Sequence, residues 1–181
     1  EWTAEDASGI EKAVAQAKDV DYIIACVGEN SYAETTGNIS DLNLSSNQKL
    51  LVKRLQETGK PVILILNEGR PRLIHDLVDG CKAIVNIMLP GNYGGDALAD
   101  LLSGDENFSG RLPFTYPSHP NSFTTYDFKV CEARETMPGT YNYEAHTNTQ
   151  WWFGEGMSYT TFEYSNLEIN KSSFDAGDII E

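Results

Sequence analysis

The 181-residue chain carries 27 acidic and 13 basic side chains, a net charge of −14, so neither nucleic acid nor an anionic membrane surface is expected as a partner. Length and composition fit one domain of ordinary size with its own core, and no apolar run approaches the roughly 20 residues of a membrane span. Three cysteines, Cys26, Cys81 and Cys131, are too few and too irregularly spaced for a disulfide framework or a zinc site. Cys26 reads as a small core residue, and a Cys81–Cys131 bridge stays open. The chain starts Glu1-Trp2-Thr3 without an initiator Met, as a processed chain or a piece of a longer one would.

Thr3 and Asp6 resemble a capping box, and Ile10, Ala13, Val14 and Ala17 repeat at helical spacing, which predicts an amphipathic helix over 4–18. Asp21 to Val27 is apolar almost throughout and reads as a strand buried on both faces, as in a parallel sheet. It stops at Gly28, and a polar loop with Glu29, Tyr32, Glu34, Asn38 and Asp41 follows. Ser45 with Gln48 predicts a second cap, Leu51 and Leu55 a helix face, and Gly59 with Pro61 its end. Pro61 to Leu66 is a second fully apolar strand with the exit loop Asn67-Glu68-Gly69-Arg70. Pro71 opens a helix ending at Gly80, Ala83 to Met88 is a third strand, and Asp96 to Leu102 a short helix. Gly91, Gly94 and Gly95 before that helix match no phosphate-binding fingerprint and read as a tight turn. Strands alternating with helices predict an α/β fold, a three-layer α/β/α sandwich with a mostly parallel central sheet.

Beyond Arg111 the pattern changes. Leu112 to Tyr116 alternates like an edge strand, 117–150 has little periodicity, and Trp151-Trp152-Phe153 opens an aromatic cluster before another candidate strand, Tyr159 to Tyr164. Residues 1–165 read as one domain and 166–181 as a linker or the start of a following β-sandwich domain. His75, His119 and His146 have no ligand-like spacing. Asn38, Asn43, Asn107 and Asn170 head Asn-x-Ser sequons, meaningful only in a secreted eukaryotic protein.

The chemistry concentrates in the loop after the first strand. In open α/β sheets ligands bind beyond the carboxyl ends of the strands. A carboxyl group there, partly desolvated by Tyr32, can act as a general acid/base near neutral pH.

Three separated segments, Leu89-Pro-Gly-Asn-Tyr-Gly-Gly-Asp-Ala-Leu-Ala-Asp-Leu-Leu-Ser-Gly-Asp, Ser109-Gly-Arg-Leu-Pro-Phe-Thr-Tyr-Pro and Phe153-Gly-Glu-Gly-Met-Ser-Tyr-Thr-Thr-Phe, resemble the carboxyl-terminal α/β sandwich domain of glycoside hydrolase family three, the β-glucosidase and β-xylosidase family. The resemblance covers about residue 5 to residue 170. It implies a retaining, exo-acting mechanism on a β-linked oligosaccharide or glycoside, with the Asp nucleophile on an N-terminal barrel domain, no cofactor or metal, and a periplasmic or secreted location. It also implies that a Glu of the acidic loop is the acid/base. Gly28, Glu29, Tyr32, Glu34 and Gly37 fit the family's loop pattern, and Asn38 stands where Asp is usual. The choice lies between Glu34, favoured because it is deeper in the loop, and Glu29. Tyr32, Asn38, Trp151 and Trp152 are candidate sugar contacts. Glu155 and Met157 depart from the family's aromatic and leucine at those places. Two other readings are compatible with the residues: a non-catalytic sugar-binding or scaffolding domain, and a flavodoxin-like module.

Overall fold

The computed structural model describes residues 7–122, 125–127, 134–137, 143–146 and 148–180. Its centre is a parallel sheet of β1 (Ile23–Gly28), β2 (Val62–Asn67) and β3 (Ala83–Asn86) in that spatial order. These strands form where apolar side chains rich in isoleucine, valine and leucine follow one another, since such side chains pack well on a pleated surface. The connections carry α2 (Ser46–Gln56) and α3 (His75–Val78), while α1 (Ile10–Ala17) precedes β1 and α4 (Gly94–Ser103) follows β3.

Val52 and Leu55 of α2 and Leu77 of α3 meet Ile23, Ala25 and Val27 of β1 and Val62, Leu64 and Leu66 of β2 in one core that also takes in Ile74 and Tyr116. Burying each large aliphatic side chain contributes about 1.5–3 kcal/mol. The α/β architecture and its parallel sheet agree with the sequence reading, but β1 differs from it. Its inward residues are buried while Ile24 is 55 % exposed and Cys26 is exposed. An apolar run reports burial without saying how many faces are covered, and in β1 burial alternates along the strand, so one face packs on the core and the other is open.

Three further expectations change. The helix expected from Pro71 is a single turn, because Leu73 instead donates its N–H to the Leu42 carbonyl at 2.9 Å and bridges Asn43. Ser45 makes no side-chain cap on α2. Tyr159 to Tyr164 forms no strand and begins with bends at Tyr159 and Thr160. Beyond α4, β4 (Tyr116–Pro117) pairs antiparallel with β7 (Thr149–Trp151), and β5 (Arg134–Met137) pairs with β6 (Tyr143–His146). The Thr3–Asp6 cap and Cys131, with its bridge to Cys81, lie outside the described residues. Among the described residues no helix is long and apolar enough to cross a membrane.

The feature that positions the site is the register of β1 and β2. Gly28 is the partner of Asn67, so the two strands end level and their exit loops, 29–45 and 68–74, lie side by side. The close pairing explains Gly28: a Cβ there would stand 1.9 Å from the Asn67 carbonyl oxygen, at a φ of 153° that side chains rarely adopt.

Candidate functional site

Gln48 of α2 closes the end of β1. Its side-chain oxygen accepts the Gly28 N–H at 2.7 Å, and its amide donates to the Gly28 carbonyl at 3.0 Å. The residue expected to cap its own helix thus fixes the point where the acidic loop departs.

The next residue, Glu29, turns inward. Its side chain is 1 % exposed, and six donors surround it. Oε1 accepts from Arg70 Nε at 2.8 Å and pairs with Arg70 Nη2 and Arg72 Nη2, each at 2.7 Å. Oε2 accepts the backbone N–H of Gly69 at 2.9 Å, that of Arg70 at 3.1 Å and the Tyr32 hydroxyl at 3.2 Å. Burial pushes the Glu29 carboxyl up, but the Arg70 guanidinium, the two N–H groups and the Arg72 charge outweigh it and hold the group below the ordinary carboxylate range. Glu29 is therefore a carboxylate locked in its ionised form.

Tyr32, whose ring was expected to desolvate a carboxyl, braces the loop. Arg70 stacks on it 4.2 Å from the ring centroid and donates through Nη1 to the Gly37 carbonyl. The ring leaves no room for larger residues around it. A Cβ on Gly37 would meet the ring at 2.6 Å, and one on Gly69 would meet the hydroxyl at 2.5 Å.

Glu34 and Asn38 sit at the two ends of an exposed 3-10 turn, Glu34–Gly37. Asn38 caps it through its N–H to the Thr35 carbonyl. Glu34 opens it with φ at 49°, the left-handed region that a side chain enters at a cost of about 1–3 kcal/mol. Trp151 does not join this group. It packs edge-on against Tyr116 at 5.1 Å between ring centroids, on the core. Trp152 lies in the next turn, where its N–H is bound at 2.8 Å by Glu155. Glu155, the departure noted in the sequence, thereby closes its own turn.

Sequence reasoning left Arg70, Arg72, Glu68 and Tyr116 without roles. The available signal was the polar run Asn67-Glu68-Gly69-Arg70 after an apolar strand, since parallel neighbours place their exit loops together.

This geometry accompanies a match, over residues 3–159, to the model of the glycosyl hydrolase family 3 C-terminal domain. The chain belongs to that family. The domain is 43 % identical over 161 residues to the lysosomal beta glucosidase of Dictyostelium discoideum, covering 88 % of this chain and 18 % of that protein. It is 32 % identical over 168 residues to the periplasmic beta-glucosidase of Salmonella typhimurium, covering 89 % and 22 %. Its structure resembles that of the beta-glucosidase from Listeria innocua in complex with isofagomine, with a TM-score of 0.79 and 27 % identity over 93 % of this chain and 25 % of that one. The family 3 domain thus spans about a fifth of the length of the relatives it matches.

Proposed function

We propose that this domain supplies the general acid/base of a retaining, exo-acting β-glycosidase, and that Glu34 is that residue. The observation that carries the reading is the division of labour between the loop's two glutamates. Glu29 is buried with all six of its partners donating to it, whereas Glu34 is exposed on a turn of its own with a strained backbone.

An acid/base must hold a proton at the start of the reaction. Glu29 is poorly suited, because a proton on either oxygen would face only donors and would break contacts to a guanidinium or to backbone N–H groups. Glu34 is free of that constraint, and a sugar cleft closing over it would take its carboxyl out of water, where the neutral form needed for proton donation is favoured. In a retaining reaction the protonated carboxyl donates to the glycosidic oxygen as the bond to the anomeric carbon breaks. Its carboxylate then takes a proton from the water that releases the covalent intermediate. The nucleophile, a second carboxyl group about 5–5.5 Å away, would come from an N-terminal barrel domain of the same enzyme. Domain docking would then gate catalysis. In this reading the substrate is a β-linked oligosaccharide or glycoside and Asn38, at the other end of the turn from Glu34, contacts it. The names of the periplasmic and lysosomal relatives support a location outside the cytoplasm.

The test is Glu34→Gln in the full-length enzyme. Hydrolysis of an unactivated disaccharide falls by a factor on the order of 10²–10⁴, while an aryl glycoside with a good leaving group loses far less in its glycosylation step. Equal activity of variant and parent on the disaccharide would refute the assignment.

A further inference from the structure

Behind the two arginines lies a buried group that no step above uses. Glu68 is 1 % exposed and Tyr116 is 0 % exposed. The Tyr116 hydroxyl lies 2.8 Å from Glu68 Oε1 and 2.6 Å from the carbonyl oxygen of Arg72. Asn86 Nδ2 donates to Glu68 Oε1 at 3.1 Å, and the Arg72 N–H donates to Oε2 at 3.3 Å. Both backbone polar groups of Arg72 are thus committed to this pair. From that anchored residue the guanidinium reaches forward, pairing with Glu29 at 2.7 Å and donating to the Asp41 carbonyl at 2.9 Å. Glu29 and Asp41 bracket the stretch of the loop that carries Glu34.

We propose that Glu68 and Tyr116 are positioning residues that share one proton and, by holding the backbone of Arg72, set the clamp that closes both ends of the acid/base loop. The proton count supports the sharing. Tyr116 has one hydroxyl hydrogen and two acceptors within reach, and the Arg72 carbonyl can only accept. With Glu68 ionised, the one hydroxyl hydrogen serves one of these two contacts, and the other leaves two oxygens at hydrogen-bond distance with no hydrogen between them. With Glu68 protonated on Oε1, every contact is matched. Glu68 donates to Tyr116, Tyr116 donates to Arg72, Asn86 donates to Oε1, and the Arg72 N–H donates to Oε2. Burial raises the Glu68 carboxyl to about 7, against the opposing hydrogen bonds from Tyr116 and Arg72, with the Glu29 charge adding to the rise and the Arg72 charge opposing it. Burial likewise pushes the Tyr116 phenol far above its ordinary range, so it remains a donor.

The inference rests on Glu34 as the acid/base, and the experiment separates the two. Tyr116→Phe keeps the ring packed against Trp151 and Phe114 and deletes only the hydroxyl, with its contacts to Glu68 and to the Arg72 carbonyl. In the full-length enzyme it is expected to lower kcat on an unactivated disaccharide by about tenfold to a hundredfold. KM should change by less than about twofold and an activated aryl glycoside should lose less, a pattern that general destabilisation does not produce. Normal disaccharide turnover by a folded Tyr116→Phe enzyme, alongside a crippled Glu34→Gln enzyme, overturns the positioning role and leaves the acid/base assignment standing. A Glu34→Gln enzyme without the leaving-group split overturns the assignment itself. Should Tyr116→Phe not fold, Arg72→Lys replaces it, since an ammonium cannot hold both ends of the loop; the same split is expected, and its absence overturns the clamp. Infrared difference spectra of the parent enzyme below pH 6 should show a neutral carboxyl band that Glu68→Gln removes, and no such band means that no proton is shared.

Discussion

Replacing Glu29 by Gln keeps the shape of the side chain and tests whether the loop is anchored by its charge. The amide has one acceptor oxygen where the carboxylate has two, and all six surrounding groups donate. If the amino group faces Gly69 and Arg70, two backbone N–H groups lose their acceptor. In either arrangement the two cations lose their counter-charge; if the amino group faces the guanidiniums they lose their acceptor as well, although Arg70, with a side chain 29 % exposed, can turn partly to water. The second arrangement costs less. Removing one member of a buried pair costs about 3–5 kcal/mol, and the escape open to Arg70 places this case near the lower end, about 3 kcal/mol. Local opening of the loop should then rise about a hundredfold, read as faster amide hydrogen exchange in peptides spanning residues 28–41 and 67–74 of the intact enzyme. A change of less than about threefold would mean that the ion pairs do not hold the loop, and the role given to Glu29 would fall.

Two other outcomes are expected. Stability should depend on pH through Glu68: its carboxyl titrates near 7 when folded against 4.5 ordinarily, so its contribution is complete below about pH 4.5 and is lost as pH rises through 7. The size is on the order of 3 kcal/mol, seen as a difference in the pH slope of the urea midpoint between parent and Glu68→Gln, and identical slopes would refute it. Gly28→Ala should destabilise by at least about 3 kcal/mol, because its Cβ would meet backbone rather than a movable side chain; a urea midpoint close to the parent's would show that β1 and β2 can part there.

The parallel sheet was legible because Tyr22 to Val27 and Val62 to Leu66 are long apolar runs set between helical periods and turn residues. The acidic loop was legible because Gly28 ends such a run abruptly. The division of roles inside the loop was not, since it depends on partners about 40 residues away, Arg70 and Arg72, whose approach to Glu29 follows from the level ends of β1 and β2. Residue spacing carries the order of strands more readily than their register. Tyr116 was hidden for a related reason. Its strand is two residues long, and its value lies in where the hydroxyl ends, beneath Glu68 and Arg72. The half-open face of β1 shows the converse limit, because Ile24 is as apolar as Ile23 while only one of them is covered.

If Glu34 moves the proton and Glu29 holds the loop, the two residues must respond differently to an external nucleophile. The direct measurement is chemical rescue of the full-length enzyme on an activated aryl glycoside, with Glu34→Ala and Glu29→Ala assayed in azide. Glu34→Ala should regain turnover and yield the glycosyl azide with retained configuration, because an anion can attack the intermediate without a base, whereas Glu29→Ala should gain nothing. Rescue of Glu29→Ala with none for Glu34→Ala would reverse the assignment.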